Sequence, residues 1–305
     1  MATSREPLGK PRVSILLLTL NQERYLHACL ASIEFQIYRE IEVIVLDDFS
    51  GDETRTLLEK WSATTGLSHE LIFSSARQGI NRILNIGLER ASGEFIAVLS
   101  ADDVLLANRF AEQVDVFEKV EEDVACIIGD VVVINEKGLT IGLLEAPSRF
   151  LQALGSSRST ALEMLENNWV PAPSALSRRD LLLKVGGYNE YLPFEDYDLW
   201  FRFLSAGYRF SHLPGPLTKY RVHARSFTGN PAMRKENIVG AAQVVAHWAP
   251  LIGGGTAIGV MRLLRMSVMA LKRRQVVLSV SVLNAVLDLL FGAIKQRFHS
   301  WLRLT

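Results

Sequence analysis

Phe95-Ile-Ala-Val-Leu-Ser-Ala-Asp-Asp103 is a short apolar run that stops on two adjacent acids, and Ile41-Glu-Val-Ile-Val-Leu-Asp-Asp48 stops the same way. Runs of this length, apolar almost throughout, predict strands buried on both faces. Upstream, Val13-Ser-Ile-Leu-Leu-Leu-Thr19 is a third such run, and a fourth covers roughly Glu70 to Ser74. Helical spacing fills the gaps. From Asn21 to Phe35 the apolar residues are Tyr25, Leu26, Cys29, Leu30 and Ile33. Ser50-Gly-Asp-Glu-Thr54 reads as a turn into a helix through Trp61. Another helix runs from about Ile80 to Ala91 and is broken by Ser92-Gly93. This alternation predicts an α/β fold with a mostly parallel sheet and helices on both faces. Such sheets bind ligands outside the carboxyl ends of their strands. Two strands deliver paired aspartates to that edge.

Further along, Asp123 to Ile134 followed by Glu136-Lys-Gly138 suggests a hairpin-like element. A less regular stretch holds Pro171, Pro173 and Gly186-Gly187. Phe194-Glu-Asp-Tyr-Asp-Leu-Trp-Phe-Arg-Phe-Leu204 then reads as an amphipathic helix, its acids placed where the helix dipole favours negative charge. Asp198 and Arg202 are spaced as a helix-surface pair, and Trp200 reads as core.

The 305 residues are 49% hydrophobic and 22% charged, enough for a large core. Cys29 and Cys126 lie among apolar residues without metal-site spacing and read as buried reduced thiols. The first eleven residues hold no hydrophobic leader, so a cytoplasmic location is expected.

The zero net charge conceals a split. From Ala232 onward there are ten Lys or Arg against two acids, and the rest of the chain carries the compensating negative excess. The residues from 10 to 228 therefore read as one domain and 229–305 as a helical, basic and apolar region. In that region Arg262, Arg265, Lys272 and Arg273 fall on one helical face, opposite Leu264, Val268 and Leu271. That arrangement suits a helix lying on an anionic membrane surface, at the inner face of the cell membrane. Packing on the main domain is a second reading. A span by 275–294 is a third, at the cost of burying Asn284 and Asp288. No nucleic-acid partner is expected.

Four blocks then carry a resemblance. Val13-Ser-Ile-Leu-Leu-Leu-Thr-Leu-Asn21, Val45-Leu-Asp-Asp-Phe-Ser-Gly-Asp52, Gly93-Glu-Phe-Ile-Ala-Val-Leu-Ser-Ala-Asp-Asp103 and Glu195-Asp-Tyr-Asp-Leu-Trp200 occur in the order and spacing of the family 2 glycosyltransferases. These are inverting enzymes with the GT-A fold, and residues 11 to 225 resemble them. The resemblance implies a nucleotide-sugar donor, UDP- or dTDP-linked, and a saccharide or lipid-linked saccharide acceptor in surface-polysaccharide assembly. It implies donor binding by Thr19, Asn21, Asp48, Asn81, Asp102 and Arg221. It implies Mg²⁺ or Mn²⁺ on Asp102, Asp103 and His223, and a catalytic base at Asp196. Asp47 would only orient the loop, and Arg77 and Asn85 fall in the segment that resembles the family's paired Asn-x-Gly region. Two departures stand out: Ser100 replaces the first acid of the Asp-x-Asp-Asp block, and Leu20 replaces an aromatic between Thr19 and Asn21.

The residue types fit that chemistry. A departing diphosphate needs a Lewis acid held by hard oxygens. A carboxylate can accept from the N3–H of uracil or thymine. Adjacent acids such as Glu195 and Asp196 raise one another's pKa, which suits a base. Two rivals remain. A nucleotidyltransferase would want a glycine-rich basic loop, which Leu18-Thr-Leu-Asn-Gln-Glu23 does not provide. A non-catalytic, membrane-tethered binding protein on the same fold would have no use for so many clustered acids.

Overall fold

The computed structural model describes residues 10–226, 231–272 and 275–302. The N-terminal segment through Gly9 and Arg273 of the basic face lie outside the described residues, as do the side chains of Lys295 and Arg297.

The chain forms two compact units, each assembled from separated segments. The first takes residues 1–145, 170–190 and 210–222, and the second takes 146–169, 191–209 and 223–305. The helical end is thus one of three pieces of its unit.

In the first unit, β1 (Val13–Thr19), β2 (Ile41–Asp47), β3 (Ser68–Phe73) and β4 (Phe95–Ser100) pair in parallel in the order β3-β2-β1-β4. The helices α1 (Glu23–Glu34), α2 (Thr54–Ser62) and α3 (Ile80–Arg90) connect them. Beyond β4 the sheet continues in antiparallel fashion. It uses β5 (Val104–Leu105), β6 (Val124–Ile134), β7 (Thr140–Leu144), β8 (Leu176–Arg178) and β9 (Phe210 to Arg221 within this unit). The short helices α4 (Arg109–Phe117) and α7 (Arg179–Lys184) belong here too. The parallel half follows the alternation in the sequence. In the antiparallel half, β6 and β7 form the hairpin expected around Glu136-Lys-Gly138, whereas β8 comes from the stretch that read as irregular, because a three-residue strand is too short to show a period.

The central strands are almost completely buried, with Val13, Ile15, Leu17, Val43, Val45 and Leu99 meeting Leu26, Cys29 and Ile33 of α1. At the amino edge Glu42 is buried yet ionised. Burial pushes its carboxyl up, but Ser14 Oγ, Ser92 Oγ and the N–H groups of Ser92 and Gly93 outweigh that and hold it below the usual range. Gly93 is required there, because a Cβ would lie 2.4 Å from Ser14 Oγ and 2.8 Å from the Arg12 carbonyl.

The second unit is helical: α5 (Ser148–Ala153), α6 (Ser157–Glu166), α8 (Asp196–Ser205), α9 (Pro231–Trp248), α10 (Gly255–Lys272) and α11 (Val276–Leu302). Trp200 is core, as its spacing predicts. Asp198 and Arg202 do pair, at 2.8 Å, but the pair is mostly buried and not on the surface. The second Asp198 oxygen accepts the Trp248 indole N–H at 2.9 Å, so this carboxylate joins α8 to α9. Asp198→Ala removes the acceptor for both groups. Breaking a buried pair in this way should cost about 3 kcal/mol, read as a lowered midpoint in urea unfolding.

Arg262 departs from the expected basic face. It donates to the carbonyls of Met164 and Leu165 and to the Tyr197 hydroxyl, tying α10 to α6 and α8. Arg265 stays exposed on α10. Among the described residues no helix is long and apolar enough to cross a membrane.

Candidate donor and acid-loop site

Three strand ends lie level at the carboxyl edge of the first unit. Thr19 pairs with Asp47 across β1 and β2, Leu18 pairs with Ser100 across β1 and β4, and the Ala101 N–H reaches the Leu18 carbonyl at 3.0 Å. Asp48 and Asp102 therefore stand on either side of β1. With strands about 4.8 Å apart, two strand spacings separate them by about 10 Å.

Asp47 is completely buried and serves the loop. It accepts from Thr19 Oγ1 (3.0 Å), the Ser50 N–H (3.0 Å), Ser50 Oγ and Arg55 Nε (2.6 Å). Asp48 turns toward the loop after β3. Its oxygens accept from the Gln78 N–H at 2.6 Å, the Gly79 N–H at 3.2 Å and Arg77 Nε at 3.2 Å. Three donors leave about one of the four acceptor positions of a carboxylate for a ligand. Asn21 adopts a left-handed backbone, with φ 53°. Its side chain accepts from the Gly51 N–H and its own N–H donates to Ser50 Oγ, which joins the loops after β1 and β2.

The acids after β4 have different surroundings. Asp102 Oδ1 accepts from Ser100 Oγ at 2.5 Å, so the serine that replaces an acid supports the next one. Asp103 is deeply buried. Burial, then the charge of Asp102, push its carboxyl well above the usual range, against the pull of Arg221. Asp103 Oδ1 accepts the Arg221 N–H at 2.8 Å, which fastens the acid loop to the end of β9. Arg221 itself is buried over the Tyr25 ring, with Nε on the Asp102 carbonyl and Nη1 on the Asn135 carbonyl. It buttresses the acid loop. Behind it, Arg109 is fully buried on Gln113, Thr218 and the Pro173 and Ala175 carbonyls, and burial lowers its pKa to about 9.

Asn81 and Asn85 of α3 hold the segment before residue 190. Asn81 donates to the Asn189 carbonyl at 2.7 Å. Asn85 donates to the Tyr188 carbonyl and accepts its N–H, satisfying both polar groups of that backbone unit. A Cβ at Gly187, where φ is +68°, would lie 2.7 Å from Asn85 Oδ1.

Asp196 and His223 belong to the second unit. Asp196 begins α8 and accepts from Asn168 Nδ2 at 2.8 Å and from the Tyr197 N–H at 2.7 Å. Burial raises its pKa despite these donors. Burial and then the Asp196 charge lift Glu195 to about 7. His223 Nδ1 accepts the Arg225 N–H at 3.2 Å.

The expected metal set was Asp102, Asp103 and His223. Among the described residues no group of three or more His, Cys, Asp or Glu side chains could hold a metal. The Asp102 carboxylate with the Ser100 hydroxyl is a hard-oxygen pair. It fits a Mg²⁺- or Mn²⁺-type ion that keeps its waters and binds mainly through substrate phosphates.

Sequence reasoning missed Phe49, Arg55, Arg109 and Asn168. An apolar residue inside the Asp-x-Ser-Gly turn was the available signal for Phe49. The others carry no local pattern.

Comparison with known proteins follows the same lines. The family model described as glycosyl transferase family 2 matches residues 14–185. A glycosyltransferase of Rickettsia typhi is 27% identical over 70% of this chain, and the match spans 64% of that protein's length. The amylovoran biosynthesis glycosyltransferase AmsE of Erwinia amylovora is 26% identical, covering 68% of this chain and 76% of its own. A Campylobacter jejuni GalNAc(5)-diNAcBac-PP-undecaprenol β-1,3-glucosyltransferase is 29% identical over 43% of this chain and 41% of its own. Among solved structures, S. aureus TarS 1–349 in complex with UDP-GlcNAc superposes with a TM-score of 0.67 at 18% identity, over 90% of this chain and 81% of that one. The Pyrobaculum calidifontis mannosyltransferase in complex with GDP-Man and Mn²⁺ gives 0.60 at 18% identity, over 94% and 89%. These structural neighbours are GT-A-fold transferases, and the sheet described above shares that fold. With more than half of its length matched by the family model, the chain belongs to glycosyl transferase family 2.

Proposed function

We propose that this chain moves a sugar from a UDP- or dTDP-linked donor to an acceptor hydroxyl, with inversion at the anomeric carbon. The observation that carries this reading is the level carboxyl edge, with Asp48 and Asp102 on either side of Thr19. Their spacing matches the reach from a nucleotide's base to its diphosphate. Asp48 accepts from the base with its remaining acceptor position. Thr19 and Asn21 fix the shape of the donor loop, and Asn81 holds the segment beside it. Asp102 and Ser100 face the diphosphate, and Asp103 and Arg221 hold that loop in place. A divalent ion bound with the donor supplies Lewis-acid stabilisation of the departing diphosphate. Asp196 takes the acceptor's proton, and its raised pKa keeps it basic enough to do so.

Incubation with UDP-, dTDP- and GDP-sugars should release UDP or dTDP, and EDTA should stop the release. Pyrophosphate formed from a nucleoside triphosphate and a sugar phosphate would instead identify a nucleotidyltransferase. No release from any donor would leave the binding-protein reading.

The acceptor is a membrane-borne saccharide used in surface-polysaccharide assembly, and the chain sits peripherally on the inner face of the cell membrane. Amylovoran biosynthesis in the name of the Erwinia relative and the undecaprenol-linked saccharide in that of the Campylobacter relative support this. So do the exposed Leu264, Val268 and Leu271 of α10 and Leu283, Leu287 and Phe291 of α11, beside Arg265 and Lys272. Exposed apolar surface of this extent, flanked by cations, fits an anionic lipid interface. The double variant Leu283→Ser/Leu287→Ser should sediment less with anionic liposomes than the parent. Equal sedimentation would remove the membrane from the proposal.

A further inference from the structure

Phe49 is held in an unusual state for a bulky residue. It lies between Asp48 and Ser50 at the carboxyl edge, its φ is +67°, and half of its side chain is exposed. Left-handed backbone is disfavoured for residues with a large Cβ substituent, and a glycine would adopt it without strain. Exposing a phenyl ring to water adds no folding stability. The fold thus keeps two unfavourable features at one position, and such positions concentrate where ligands bind.

The surroundings make the ring rigid. The Arg55 guanidinium lies between Phe49 and Phe73, 5.7 Å and 5.4 Å from their centroids. Arg55 is itself fixed by Asp47 Oδ1 at 2.6 Å and the Ser74 carbonyl. Aromatic–cation packing of this kind fixes one side of the ring. The neighbouring Asp48 carboxylate, pinned by Gln78, Gly79 and Arg77, offers its remaining acceptor position beside it. A flat apolar surface next to a fixed hydrogen-bond acceptor suits a planar heterocycle that carries an N–H on its edge.

We propose that Phe49 is the stacking platform for the donor's nucleobase, with Arg55 as its support, and that the pair Asp48–Phe49 selects the nucleotide. This inference rests on the proposed nucleotide-sugar reading. The test is calorimetric titration of the full chain and of Phe49→Gly and Phe49→Tyr with UDP, UMP and magnesium pyrophosphate, and of the parent also with dTDP and GDP. Phe49→Gly relieves the backbone, so it should melt at or above the parent temperature. Loss of base stacking should weaken UDP and UMP about 5- to 150-fold. Pyrophosphate, which has no base, should bind equally to all three proteins, and Phe49→Tyr should keep parental UDP affinity. If Phe49→Gly binds UDP and UMP as the parent does, or loses pyrophosphate to the same degree, Phe49 is not the platform. If the parent binds neither UDP, dTDP nor GDP, the donor reading itself is wrong and this inference goes with it.

Discussion

Asp102→Asn should lower turnover by about 10²- to 10³-fold, the usual effect of removing a group that stabilises charge on the leaving atoms. The substitution keeps the volume and a polar contact for Ser100 Oγ, so unfolding should change little. No neighbour can take over. Asp103 is deeply buried, accepts the Arg221 N–H and has its carboxyl pushed up by burial and by Asp102 itself. Ser100 supplies an uncharged oxygen only. The assay is nucleoside diphosphate release at saturating donor, with magnesium or manganese titrated against parent and variant. A loss of turnover confined to low metal would identify Asp102 as the metal contact. Unchanged turnover at all metal concentrations would remove the acid loop from the reaction.

The second large effect is expected at Asp196. Asp196→Asn should reduce kcat by about 10²- to 10⁴-fold while leaving donor affinity intact, because a general base acts only in the chemical step. The same pair fixes the pH dependence. Glu195 titrates near 7 and Asp196 is raised with it, so the parent rate should fall as pH drops below about 7 and protons occupy the pair. Asp196→Asn should lose that limb. Stability runs the other way. The folded pair holds protons that the unfolded chain has already released between the ordinary carboxylate range and about 7, so its contribution is lost as pH rises through that window. Urea unfolding across the window should therefore vary less for Asp196→Asn. An Asn variant with parental kcat would exclude the residue as base.

How much of this was legible in the sequence depended on what kind of contact carried each feature. The parallel strands and their acidic ends are written locally, because a strand buried on both faces must be apolar for its whole length and polar where it stops. Asp47 as a loop holder follows from its position before Ser50. The antiparallel half is different. β8 is three residues long, and β9 passes Pro214, Gly215 and Pro216, which read as breaks. Arg109 carries no local pattern and Arg221 was expected at the donor, because nothing in their neighbours shows that carbonyls from residues 135, 173 and 175 will receive them. The partner of Asp196, Asn168, lies 28 positions away in a stretch without period. Spacing predicted the Asp198–Arg202 pair but could not tell a wet helix face from a dry one.

The way the second unit is assembled has a consequence for inheritance. Its helices come from three stretches of chain, and the segments 146–169 and 191–209 hold the partners of the last one. Arg262 ends on carbonyls of α6, and Trp248 ends on Asp198 of α8. A gene fusion or truncation that removed everything after residue 228 would leave those partners behind, exposed and unmatched. The basic, apolar end of the chain is therefore no interchangeable cassette. Changes in its chemistry must arise side chain by side chain, in step with two segments encoded upstream.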